Sequence, residues 1–148
     1  MAISDWSATA LCQDKDLLEF EGQVLVWTRD KGTAQKWISK AKDLIATRLR
    51  YSFRDVELAT DAADVLDLIA DVTPLKDAAC YLSLHLLCHE CSVGGDYFES
   101  LEQMYWHKFE KEIPRALGLV SLDLDESGVI ETSEKYNVKT GVTFVRGS

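Results

Sequence analysis

The chain has 148 residues, 16 basic against 25 acidic side chains, a formal net charge of −9 and a pI near 4.7. With 47% apolar and 28% charged residues it reads as one globular domain rather than a disordered chain. The acidity disfavours a protein that grips nucleic acid through its phosphates, and no run approaches the roughly 18 consecutive apolar residues of a membrane span.

Met1-Ala-Ile-Ser-Asp-Trp6 carries no basic residue ahead of an apolar stretch, so no secretory signal is expected and the reducing cytosol is the expected compartment. From Asp5 to about Asp30 the chain predicts one or two short helices or turns. The Val24-Leu-Val-Trp27 run is open between a short strand and a buried helical turn. Arg29 to Gly32 is a turn signal. A strong helix comes next, with Thr33 as its expected cap and Trp37, Ile38, Ala41, Leu44, Ile45, Leu49 and Phe53 on its apolar face. Lys36, Lys40, Lys42, Arg48 and Arg50 make the same segment the concentrated basic stretch of the chain.

A shorter helix is expected from about Asp61 to Ala70, burying Val65, Leu66, Leu68 and Ile69. Thr73-Pro74 announces the next, with Thr73 as cap, Pro74 at the first position and Asp77 at the positive end of the helix dipole. From Leu75 to Cys91 this helix is apolar nearly all round and demands cover on every side, from the bundle or from neighbouring subunits. Gly94-Gly95 stops it and Asp96 is the expected cap of the next helix. That one puts Tyr97, Leu101, Met104, Tyr105, Phe109 and Ile113 on a stripe, and Pro114 with Gly118 is expected to end or bend it. Leu119 to Tyr136 is acidic and turn-like, and Gly141-Val-Thr-Phe-Val145 reads as one strand that must pair with something else. The fold class predicted is all-α: a helical bundle over 1–118, then a partly extended C-terminal arm, 119–148, with one short strand.

Two clusters suggest chemistry. His85, Cys88, His89 and Cys91 include a Cys-x-x-Cys spacing, as zinc knuckles and dithiol sites do. No second ligand pair accompanies it, Cys12, Cys80 and His107 standing alone. The dithiol also sits at the wrong end of its helix for the dipole to lower a thiol pKa, so buried structural thiols are expected. Asp123 to Glu134 matches a twelve-residue calcium loop closely: Asp123, Asp125 and Ser127 at the first ligand positions, Gly128 at the turn, the Val129 carbonyl, Ile130, and Glu134 at the twelfth. Its exit is β-branched and glycine-punctuated, so an acidic linker is the preferred reading and a calcium- or metal-responsive interaction module the alternative. No catalytic motif is present, and no catalytic, metal or cofactor residue is assigned.

Four stretches resemble the head-tail connector (adaptor) proteins of tailed bacteriophages. Ala34 to Leu49 looks like their long first core helix, Thr73 to Leu87 like the central apolar helix, Asp96 to Phe109 like the aromatic, charged helix after it, and Leu122 to Ile130 like an acidic Asp/Gly turn. The resemblance implies a structural virion protein of the neck, assembled in the host cytoplasm and not an enzyme. It implies a homo-oligomeric ring, often a dodecamer, between portal protein and a tail terminator or stopper, with DNA passing through an acidic channel without specific binding. An arm carrying Val142, Phe144 and Val145 would dock on a neighbour by strand addition. The opposite charges of 34–50 and 119–134 point to contacts between neighbouring subunits.

Overall fold

Apolar residues recurring every three or four positions become five helices: α1 (Asp14–Phe20), α2 (Val24–Trp27), α3 (Gln35–Ser52), α4 (Lys76–Cys91) and α5 (Asp96–Leu119). Single 3-10 turns lie at Trp6–Ala8, Val65–Leu68 and Thr73–Leu75. The computed structural model describes residues 5–28, 32–54, 65–91 and 95–122, and among these the protein is all-α, without a sheet. The expected strand at 141–145 and the 123–134 loop lie outside the described residues.

The helix starts are capped by other residues than the sequence suggests. At α3 the Asp14 carboxylate of α1 accepts the Ala34 N–H at 2.8 Å and the Thr33 hydroxyl at 2.7 Å, and Thr33 Oγ1 in turn accepts the Gln35 N–H at 3.2 Å. Thr33 is therefore a relay between a distant carboxylate and the helix start rather than the cap itself. Before α4, Asp71 accepts both the Thr73 N–H (3.0 Å) and hydroxyl (2.7 Å), and the bond from that backbone N–H holds the Asp71 carboxyl below its ordinary value. Thr73 and Pro74 form a 3-10 turn that feeds α4, with Asp77 in its first turn. At α5 the capping position belongs to Gly95, with φ of 147°, and Asp96 is the first helical residue. That backbone angle is open to glycine and strained for any side chain.

α4 forms the centre of the bundle. It is antiparallel to α5, the most extensively shared helix contact, and packs on α3 on another side, with α1 and α2 touching it as well. Leu82, Leu84, Leu87, Ala78, Ala79, Cys80 and Cys88 are all buried by these neighbours. The cover that so apolar a helix demands is thus supplied within one chain, and its burial calls for no second subunit. Lys36 meets Glu90 at 3.0 Å and Arg48 approaches Glu110 at 3.9 Å, so α3 runs opposite to α4 and alongside α5.

Several expected boundaries and faces move. The Asp61–Ala70 helix reduces, among the described residues, to the 3-10 turn Val65–Leu68. Ile69 leaves it to form an antiparallel bridge with Leu122, and the Ala70 N–H donates to Ser121 O at 2.9 Å. Such pairing needs an extended backbone, which ends the turn. α5 passes through Pro114 to Leu119, and Val120 and Leu122 are buried beyond the boundary expected at 118. Pro114 is exposed, so its ring faces solvent while Ile113, Ala116 and Leu117 hold the last turns onto the core. Leu44, 49% exposed, lies about a quarter-turn from the centre of the buried α3 face. Tyr97 and Met104 likewise leave the buried stripe of α5, which consists of Tyr105, Phe109, Ile113, Ala116 and Leu117.

The first residues are structural. The Trp6 N–H donates to Asp67 Oδ1 at 2.9 Å, Lys42 Nζ sits 5.4 Å over the Trp6 ring and donates to Ser7 O, and Asp16 meets Lys76 at 3.2 Å. With Leu11, Cys12 and Leu17 buried, the N-terminal segment ties α3, the 65–68 turn and α4 together.

Candidate functional site

The thiol and imidazole cluster of α4 is dispersed by the packing of that helix. His85 and His89 share one face and both turn to Glu102 of α5: His85 Nδ1 lies 2.9 Å from the Glu102 carbonyl and His89 Nδ1 2.9 Å from its carboxylate. Cys88 points into the core, where burial pushes its thiol up to about 12. The Cys91 thiol donates to Trp27 O at 3.7 Å. Among the described residues no group of three or more His, Cys, Asp or Glu converges as metal ligands. A second thiol site lies where α1 approaches α4. Cys12 Sγ is 3.9 Å from Ser83 Oγ, which donates to the Ala79 carbonyl at 2.7 Å, and the bond with Cys12 together with burial raises the neighbouring Cys80 thiol. A thiol kept protonated is a poor nucleophile, so Cys80 and Cys88 act as small core residues.

What the fold leaves on the surface is more informative, and two regions stand out among the described residues. The first is aromatic. Trp27 of α2 packs edge-on against Phe98 (5.2 Å) and Tyr97 (6.5 Å) at the start of α5, while Val26 and Tyr97 stand 70% and 63% exposed. An exposed tyrosine on an edge-packed aromatic base has the composition of an interface anchor. Sequence periodicity places Tyr97 in the core. The missing signal is its position in the first turn of α5, beyond the last turn of α4.

The second region is the outer face of α3. Lys40, Leu44, Thr47 and Tyr51 succeed one another at helical spacing, all exposed, with Tyr51 at 66%. Arg54 lies 3.9 Å over the Tyr51 ring and donates to its carbonyl at 2.7 Å. The basic stretch seen in the sequence is not one uniform face. Lys36 is paired with Glu90, Lys42 is drawn to Ser7 and Trp6, and Arg48 lies 5.4 Å over Phe109 near Glu110. Lys40 and Arg54 form no salt bridge among the described residues. The residues expected to bind a partner, Val142, Phe144 and Val145, lie outside the described residues. No protein family, curated protein or solved structure matches the chain.

Proposed function

We propose that the protein is a structural head-tail connector of a tailed bacteriophage, a subunit of a homo-oligomeric ring between portal and tail that works through its surfaces and performs no catalysis. The observation that carries this reading is the order of helices over 34–119: a long amphipathic helix, a buried apolar helix and a long aromatic, charged helix, as the resemblance requires. The surfaces add support. The aromatic region sits at the start of α5, and Leu119 stands exposed at its end. Tyr97 and Leu119 are 22 residues apart on one helix, about 33 Å at 1.5 Å per residue. A subunit with an exposed aromatic region at one end of so long a helix and exposed Leu119 at the other suits a neck protein that contacts portal on one side and a terminator or stopper on the other. The net charge of −9 suits a ring around DNA, because like charge keeps phosphates from adhering to the wall.

Electron microscopy of the full chain mixed with portal protein from the same source tests this. Rings seated on the portal are expected, and Tyr97→Ser together with Val26→Ser should weaken the decoration while leaving the helical content intact. Persistent monomers that leave the portal bare would overturn the reading.

A further inference from the structure

Two of the cysteines meet across the fold. Cys12 stands in the link between the Trp6–Ala8 turn and α1, outside any helix, whereas Cys80 lies in the second turn of α4. Cys80 and Ser83, three residues apart, share one face of that helix. The Cys12 sulfur lies on this face, 3.9 Å from Ser83 Oγ and in hydrogen-bond contact with the Cys80 thiol. All three side chains are buried. Cys91, by contrast, turns its thiol to the Trp27 carbonyl.

The two thiols in contact are chemically unequal. The bond from Cys80, and after it the Ser83 hydroxyl, hold the Cys12 thiol below its ordinary value, against burial and the charges of Asp16 and Asp14. The same bond, together with burial, raises Cys80. Cys12 therefore ionises first, and Cys80 keeps a proton to donate. A thiolate beside a proton-bearing thiol is what a two-step oxidation requires. The backbone suits it as well. α4 is held between α3 and α5, while Cys12 rides on irregular chain that can yield towards Cys80 without breaking a helix ladder.

We propose that Cys12 and Cys80 form an oxidation site, at which a hydroperoxide converts the pair into an intramolecular disulfide that fastens the N-terminal segment to α4. The Cys12 thiolate attacks one oxygen of hydrogen peroxide, the O–O bond breaks, and the released hydroxide takes up a proton as water. The sulfenic acid left on Cys12 carries no charge, so the charge that holds the proton on Cys80 is gone. The Cys80 sulfur then attacks Cys12: the S–S bond forms, the S–O bond breaks, and the Cys80 proton leaves with the hydroxyl as a second water. Two thiols lose two electrons and one peroxide gains them. Hydrogen peroxide is little larger than water, and it enters when the N-terminal segment opens locally. Before α1 that segment forms only the three-residue Trp6–Ala8 turn, so it opens more readily than α4. The bond closes the long loop between residues 12 and 80, which restrains the unfolded chain and stabilises the folded one. The inference does not depend on ring formation.

The test treats reduced full-length protein, in dilute solution at pH 8, with hydrogen peroxide. Remaining thiols are then blocked in urea and the non-reduced peptides sequenced by tandem mass spectrometry. Two thiols per chain are expected to disappear, with a Cys12–Cys80 link within one chain as the dominant product. The urea midpoint of unfolding should rise and return to its starting value with dithiothreitol. Cys12→Ser should cut the thiol loss severalfold, whereas Cys91→Ser should leave the link unchanged. The mapping on the unaltered chain decides the matter even where a variant fails to fold. Survival of all four thiols, a dominant link through Cys88 or Cys91, links between chains, or Cys12 as sulfinic or sulfonic acid without a link would each overturn the inference. Rings on the portal are read separately by microscopy, so the connector reading stands or falls on its own.

Discussion

Asp14 shows how much one side chain can organise across distance. Its carboxylate accepts from the Thr33 hydroxyl and the Ala34 N–H, 19 and 20 residues later in the chain, so it fixes where α3 begins and how α1 meets it. Asp14→Ala leaves a helix-start N–H and a hydroxyl without their acceptor, and should cost about 1–2 kcal/mol in urea unfolding. Asp14→Asn keeps one acceptor oxygen and should lose less; equal losses would mean that charge rather than capping is at stake. The cysteines give a second residue-scale expectation. With Cys12, Cys80 and Cys88 buried and Cys91 half-buried, native protein at pH 8 should expose at most one thiol per chain to Ellman's reagent, and four in urea. Burial lifts Cys88 to about 12, well above that pH, so its thiol stays protonated while the fold persists. Rapid native reaction of two or more thiols would contradict the core role assigned to them. These roles are half legible in the sequence. The burial of Cys80 and Cys88 is legible because their helix is apolar nearly all round, whereas local spacing assigns the α3 cap to Thr33 because the Asp14 carboxylate, brought from 19 residues away, is invisible to it.

Among elements, α5 departs furthest from its sequence. Pro114 lacks the N–H that would bond the Glu110 carbonyl, and a proline in a helix interior costs about 3 kcal/mol relative to alanine. The helix persists because burial on both sides of the proline outweighs that cost, with Ile113, Ala116 and Leu117 set on the core and Val120 and Leu122 continuing it. The exposed ring meets water instead of a neighbour, and Glu112 and Arg115 pair across it. Pro114→Ala is therefore expected to raise the stability by about 1–3 kcal/mol in chemical unfolding. A loss of stability would show that the proline shapes the exit of the chain towards Leu122. Opposite logic applies to Val24–Trp27, whose periodicity is silent between strand and helix. Four residues become a helical turn there because Val24 is driven into the core and Trp27 onto Phe98, while no strand stands beside them among the described residues.

For the whole molecule, the decisive fact is that α4 finds its cover at home. Its all-round apolar character reads equally well as the centre of a bundle or as a surface shared between subunits, and the packing of α3, α5, α1 and α2 around it selects the first. Among the described residues, the aromatic region at the start of α5 and the outer stripe of α3 remain outside for an assembly to use. By itself the sequence determined the all-α class, the places of α3, α4 and α5, and the charge asymmetry, because helical periodicity and net charge are properties of neighbouring residues along the chain. Only the tertiary structure decided which apolar residues stay on the surface and that the distant Asp14 caps the start of α3. Those outcomes depend on which faces meet across twenty to sixty residues of intervening chain, and pattern along the sequence carries no measure of that.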